Sequence, residues 1–178
     1  MSTDVLDSLR YPVGKFQKST ADPAQRAASI ATLRILPSSV REAISGLSDA
    51  QLATPYRDGG WTVRQTVHHI ADSHLNAYSR FRHALTQEWP TIYAYDEAKW
   101  AGLVDAHTAP VKFSLGMIDG IHARWALLLE SLSDADFVRG YIHPENGRQT
   151  LEQVLALYAW HSRHHAAHIT QLRKRNGW

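Results

Sequence analysis

Residues 150–177, TLEQVLALYAWHSRHHAAHITQLRKRNG, hold the strongest helix signal in the chain. Thr150 followed by Gln153 is a capping box, and Gly177 is a stop, so the stretch predicts one long helix ending near Asn176. With Leu151 at zero and about 100° per residue, Val154, Leu155, Tyr158, Ile169 and Leu172 define an apolar face centred near 330°. His165 falls at about 320° and His161 at about 280°, while His164 and His168 lie further round, near 220° and 260°. The pair expected to point into a helical core is therefore His161 and His165. Their i, i+4 spacing stacks two imidazoles on one face at the separation a single metal ion can bridge.

The same start and stop signals recur along the rest of the chain. Asp22-Pro23-Ala24-Gln25 joins an N-cap, a proline at the first helical position and a glutamine three residues after the cap. The helix it opens runs towards Gly46, and Pro37 is expected to interrupt or kink it near Leu36. Ser48-Asp49-Ala50-Gln51 caps one short turn before Thr54-Pro55. Thr62-Val63-Arg64-Gln65 opens a helix lasting to about Leu85, closed by Trp89-Pro90. The stretch from Thr91 to Pro110 reads as a long connection with one short helix near Asp96 to Trp100. A third long helix is expected from Ser114 to Leu132, where Leu115, Ile118, Ile121, His122, Trp125, Leu128, Leu129 and Leu132 recur at helical spacing. Pro144-Glu145-Asn146-Gly147 reads as a tight turn, since Asn-Gly accepts the positive φ of a hairpin. Four long helices without an alternating strand run predict an all-α, up-and-down four-helix bundle, with short extra helices in its loops.

Composition bounds the chemistry. The chain has 178 residues, 44% of them hydrophobic, which suits one domain over residues 1–178 with an ample core. It contains no cysteine, which excludes disulfides, thiolate metal sites and a cysteine nucleophile. The net charge of +2 is too mild to imply nucleic acid or an anionic membrane as partner, although the pI is near 9.0. The basic residues Lys15, Lys18, Arg26, Arg34 and Arg41 are scattered. Only Arg173, Lys174 and Arg175 cluster, where a helix C-terminus favours cations. No stretch reads as a secretory signal in Met1 to Tyr11 or as a membrane span, so cytoplasmic residence is the default expectation.

Eleven histidines stand against those absent cysteines. Seven lie in two predicted helices: His68, His69 and His74 in one, and His161, His164, His165 and His168 in the last. Buried imidazoles without partners are costly, and two protonated ones repel, so a metal is a good reason to direct two inward. A third ligand must then come from another helix, and His68 or His69 is the natural donor. Periodicity leaves both on the flanks of their helix and separates them little. His83, His107, His122 and His143 read as ordinary histidines. His164 and His168 form a second i, i+4 pair that can take up metal adventitiously.

Several runs resemble the YfiT branch of the DinB-like proteins. They are Arg10-Tyr11-Pro12-Val13-Gly14, Pro55 to Gln65, His68 to His74, His143 to Gly147, and Leu157 to Ile169. The resemblance implies a four-helix bundle, a homodimer, and a divalent metal held by three histidines. Carried onto this sequence, the ligands are the histidine before an apolar-Ala-Asp run, His69, and the pair His161 and His165. It further implies a metal-dependent hydrolase or, as in some relatives, a transferase joining a low-molecular-weight thiol such as bacillithiol to an electrophile. The cysteine-free chain then obtains any sulfur from a co-substrate, because a metal lowers the pKa of a bound thiol as it does that of water.

The leading expectation is thus an enzyme with one divalent ion per chain, zinc or nickel, acting on a small molecule. Arg64, Gln65, Asp72, Trp125 and Tyr158 are candidates to orient the imidazoles or touch substrate. A non-enzymatic metal binder or sensor ranks second, and nucleic-acid binding last.

Overall fold

The computed structural model describes residues 3–18 and 22–178; of the stretch Met1 to Tyr11, Met1 and Ser2 lie outside the described residues. Its elements in chain order are α1 (Thr3–Arg10), α2 (Pro23–Ile44), α3 (Asp49–Leu52), α4 (Val63–Thr86), α5 (Glu97–Ala101), α6 (Val104–Thr108), α7 (Val111–Ser131), α8 (Asp134–Val138), β1 (Gly140–His143), β2 (Gly147–Thr150) and α9 (Leu151–Asn176). The expected caps form. Asp22 accepts from the Ala24 amide at 3.0 Å, and Thr62 with Gln65 and Thr150 with Gln153 close capping boxes. Gly177 ends α9 at φ 69°.

The long helices α2, α4, α7 and α9 form the bundle. Helix α2 packs on α9 and α7, and α4 packs on the same two, so α2 sits diagonally to α4 and α7 diagonally to α9, while α4 and α7 are direct neighbours. Among the described residues, no helix is long and apolar enough to cross a membrane.

Four details differ from the sequence reading. Pro37 does not break α2, which continues through it. Helix α7 starts at Val111, directly after Pro110, earlier than expected, because Val111 and Ser114 extend its inward face. The long connection holds two short helices, α5 and α6, where one was expected. The tight turn belongs to a real hairpin: β1 and β2 pair antiparallel from Gly140↔Thr150 to His143↔Gly147, with Gly147 at φ 70°.

The apolar core falls into two clusters. One gathers Leu33, Phe81, Trp125, Leu129 and Leu155; the other gathers Leu36, Val40, Val67, Ile118 and Ile169. On every bundle helix a polar position lies between them: the Leu33 carbonyl on α2, His74 on α4, His122 on α7, and His161 and His165 on α9. A polar layer inside a core is tolerated when each member finds a partner.

Candidate metal centre

The capping box at Thr62 fixes the start of α4 and carries His69 to face α9. There His69, His161 and His165 come together, their nearest nitrogens all within 4.8 Å of one another. His69 Nε2 and His161 Nε2 are 3.1 Å apart, and the His161 and His165 rings meet edge-on at 4.3 Å. Trp61 covers the group, its ring 4.5 Å from that of His69 and 6.2 Å from that of His165. Burial pushes the His69 pKa down to about 4, and the nearby His164 pushes the same way. Burial first, and the neighbouring imidazoles second, hold His161 and His165 well below the ordinary histidine range. All three are neutral near pH 7, the form that ligates metal.

Hydrogen bonds separate His69 from its neighbour His68. His68 Nε2–H donates to the Ala109 carbonyl at 3.1 Å, and its Nδ1 accepts from the Ser114 hydroxyl at 2.7 Å. With both nitrogens engaged, His68 is a satisfied core residue.

A chain of three histidines orients His161. Pro37 has no N–H, so the Leu33 carbonyl four residues earlier lacks its helical donor. His122 supplies one through Nδ1–H at 2.7 Å. Burial lowers the His122 pKa to about 4 and the His74 pKa well below the ordinary range, so both rings are neutral and each has a single N–H. His122 Nε2 must then accept from His74 Nδ1–H, at 3.0 Å, and His74 Nε2 from His161 Nδ1–H, at 3.1 Å. The His161 Nε2 lone pair is left facing His69. These three bonds join α9, α4, α7 and α2.

A shorter chain orients His165. His168 Nε2–H donates to the Arg10 carbonyl at 3.2 Å, so its Nδ1 accepts from His165 Nδ1–H, at 3.4 Å, and leaves His165 Nε2 bare. His164 and His168, expected on the flank, are buried. Helical periodicity ranks residues against the bundle core alone, and here α1 and the following loop, with Tyr56 stacked on His168 at 3.9 Å, cover the second face. His164 stacks on Trp160 at 4.4 Å and its Nδ1 finds no partner among the described residues. His164, His165 and His168 also lie within 4.8 Å of one another, but His168 already has both nitrogens engaged.

The histidines form one wall of a cavity of about 670 Å³. Of the five residues read as possible supports, Tyr158 lines it, its ring 5.4 Å from that of His161 and its hydroxyl donating to the Ser73 carbonyl at 3.2 Å. The other four lie outside the lining. Arg64 clamps the Ala109 carbonyl at 3.0 Å and Asp49 at 2.9 Å. Gln65 completes its capping box and donates to the Ala101 carbonyl at 2.8 Å. Asp72 is half-buried, and burial, then Asp105, raises its carboxyl to about 6. Trp125 is fully buried, with its ring 6.1 Å from that of His74. Residues missed from sequence are Trp61, His74, His122, His168 and, on the far wall, Arg80 and His143. Pro37 was the available signal for His122, since a proline inside a helix leaves a carbonyl that needs a donor.

Fold and site together define a four-helix bundle whose histidine layer can bind a metal ion at the head of a cavity. The family model of the DinB superfamily matches residues 32–169. A protein of Bacillus licheniformis named "Putative metal-dependent hydrolase" is 51% identical over 175 residues, spanning 97% of this chain and 99% of its own. YfiT of Bacillus subtilis, which bears the same description, is 47% identical over 173 residues, spanning 96% and 97%. The solved structure of YfiT superposes with a TM-score of 0.93 over 96% of this chain and 99% of that one, and is described as "a probable metal-dependent hydrolase with an unusual four-helix bundle topology". The chain belongs to the DinB superfamily, in its YfiT branch.

Proposed function

We propose that the protein is a metal-dependent hydrolase that holds one divalent ion, zinc or nickel, through His69, His161 and His165, and acts on a small molecule in the adjoining cavity. The observation that carries this reading is the pair of hydrogen-bond chains that bare Nε2 of both His161 and His165 on the side of His69. The spacing of His69 and His161 supports it: nitrogens on one tetrahedral metal, each at about 2.0–2.1 Å, lie about 3.3 Å apart, against 3.1 Å here. The names of the relatives point the same way.

Three histidine ligands suit a catalytic centre, whereas structural zinc sites usually fill all four positions from protein. A divalent ion held there supplies Lewis acidity, which lowers the pKa of water or of a thiol. Around it, Trp61 shields the ligands from solvent. Burial raises the Tyr158 pKa, so its hydroxyl keeps its proton and serves as a fixed dipole in the cavity wall.

Elemental analysis of purified protein should find close to one divalent ion per chain, and His161→Ala or His165→Ala should abolish it. Stoichiometric metal in both variants overturns the site. Metal-loaded protein is then given an epoxide or a haloalkyl compound, with and without a low-molecular-weight thiol. Turnover without thiol supports hydrolysis. Turnover that requires thiol reassigns the protein as an S-transferase, the reading its lack of cysteine leaves open.

A further inference from the structure

The cavity has a second polar end. Helix α4 presents His69, Ser73 and Arg80 in succession to its lining. Steps of four and seven residues keep them on one face, and eleven residues place Arg80 about 16 Å further along the axis, less what its side chain covers by leaning back toward the helix start. Arg80 is only 9% exposed. Its Nη2 donates to the Tyr93 carbonyl at 3.1 Å, and it has no ion pair among the described residues.

Arg57 also lines the cavity, half-buried, with its Nη1 donating to the Asp58 carbonyl at 2.9 Å and its Nε without a partner among the described residues, which makes it the rival cation to test. Several arginines outside the cavity behave differently. Arg26, Arg34, Arg41 and Arg64 each face a carboxylate. Arg139 and Arg173 reach carbonyls at the C-terminal ends of α4 and α2, where a helix carries partial negative charge. A buried guanidinium lacking either kind of compensation is costly. Glu97 and Glu145 also line the cavity but are exposed, and neither pairs with Arg80.

The hairpin supplies a second donor. His143 is buried in the same wall, and its Nδ1 accepts from the Glu145 amide at 3.2 Å and faces the Asn146 side-chain amide at 3.4 Å. Burial, and then Arg80, lowers its pKa, so the ring is neutral and its proton resides on Nε2. A guanidinium and an imidazole N–H at one end of a cavity form a receptor for an oxyanion.

We propose that Arg80 and His143 form an oxyanion subsite, so that the substrate is a small molecule carrying a carboxylate or phosphate at one end and its reacting group at the His69–His161–His165 end. This rests on the reading of the cavity as the substrate site, but the subsite needs no metal.

Metal-free protein in chelator is titrated with succinate, its dimethyl ester and inorganic phosphate, followed by the side-chain Nε–H resonance of Arg80 and by calorimetry. Succinate or phosphate should bind and the ester should not; the stronger of the two anions identifies the group. Arg80→Met should weaken that binding about tenfold or more, Arg80→Lys should restore part of it, and Arg57→Gln should leave it unchanged. Metal content, measured in the same Arg80 variants, should stay at the wild-type level. Equal binding of ester and anions, binding insensitive to Arg80→Met, or binding lost in Arg57→Gln overturns the subsite. Anion binding that appears only after metal is added, and ignores Arg80, overturns it while leaving the metal centre standing.

Discussion

The two proposed ligands on α9 are held from opposite directions. Behind His161 the support runs inward through His74, fully buried, and His122, 2% exposed, to a carbonyl in the middle of α2. Behind His165 it runs outward through His168 to the last residue of α1. Both chains end on a backbone carbonyl, an acceptor that cannot reverse its role, and both therefore fix which nitrogen of the ligand is bare. They differ in what else they hold. The inner chain joins all four bundle helices, whereas the outer one joins α9 to a short flanking helix. Ligand orientation is thus coupled to core stability on one side and nearly independent of it on the other.

The largest expected effect comes from cutting the inner chain at its centre. His74→Ala leaves His161 Nδ1–H and His122 Nε2 buried without partners and opens a cavity between the two apolar clusters. The expected cost is about 3–5 kcal/mol, read from denaturant unfolding of the metal-free protein. Metal affinity, read by competition with a chelating dye, should fall about 10–100-fold. His74→Phe fills the volume without restoring the bonds, so it should recover part of the stability and none of the affinity. Recovery of both would reduce the chain to packing.

Pro37→Ala tests the far end of the same chain with an intermediate effect. It restores a helical N–H to compete with His122 for the Leu33 carbonyl, and alanine is about 3 kcal/mol better than proline inside a helix. Weakening the His122 bond takes back about 1 kcal/mol. The variant should be more stable than the parent by about 1–2 kcal/mol, yet bind metal several-fold more weakly. Its ¹⁵N spectra should show His122 sampling both tautomers. Unchanged affinity and a single His122 tautomer would mean that the carbonyl does not set the chain's direction.

A sequence displays the forces that act locally and hides those that act only across the folded chain. Caps at Asp22, Thr62 and Thr150 act within one turn, and the apolar period of α9 is a property of that helix alone, so the bundle and the inward placement of His161 and His165 could be read directly. The choice between His68 and His69 could not, since it turns on Ser114 and Ala109, which reach His68 only in the folded chain. His122 was read into an apolar series, correctly as to burial, while its bond to α2 is a tertiary event that Pro37 permits. Arg80 gave no signal because an arginine on a polar helix face looks like any solvated one until the hairpin and the loop before α5 close over it.

The smallest expected effect breaks the outer chain, and it is the one that tests the asymmetry. His168→Phe removes the acceptor for His165 Nδ1–H but keeps an aromatic ring under Tyr56, whose stacking at 3.9 Å supplies much of the local packing. Two bonds are lost, the one from His165 at 3.4 Å and the one to the Arg10 carbonyl at 3.2 Å, and both lie beside the cavity, where solvent can replace them. Unfolding free energy should therefore change by less than about 1 kcal/mol, while metal affinity still falls, by about tenfold at most. A stability loss as large as that of His74→Ala would show that α1 is as much a part of the core as the bundle helices, and the contrast between the two supports would fail. Loss of affinity with stability retained would instead make His168 the position at which metal binding can be tuned without disturbing the fold.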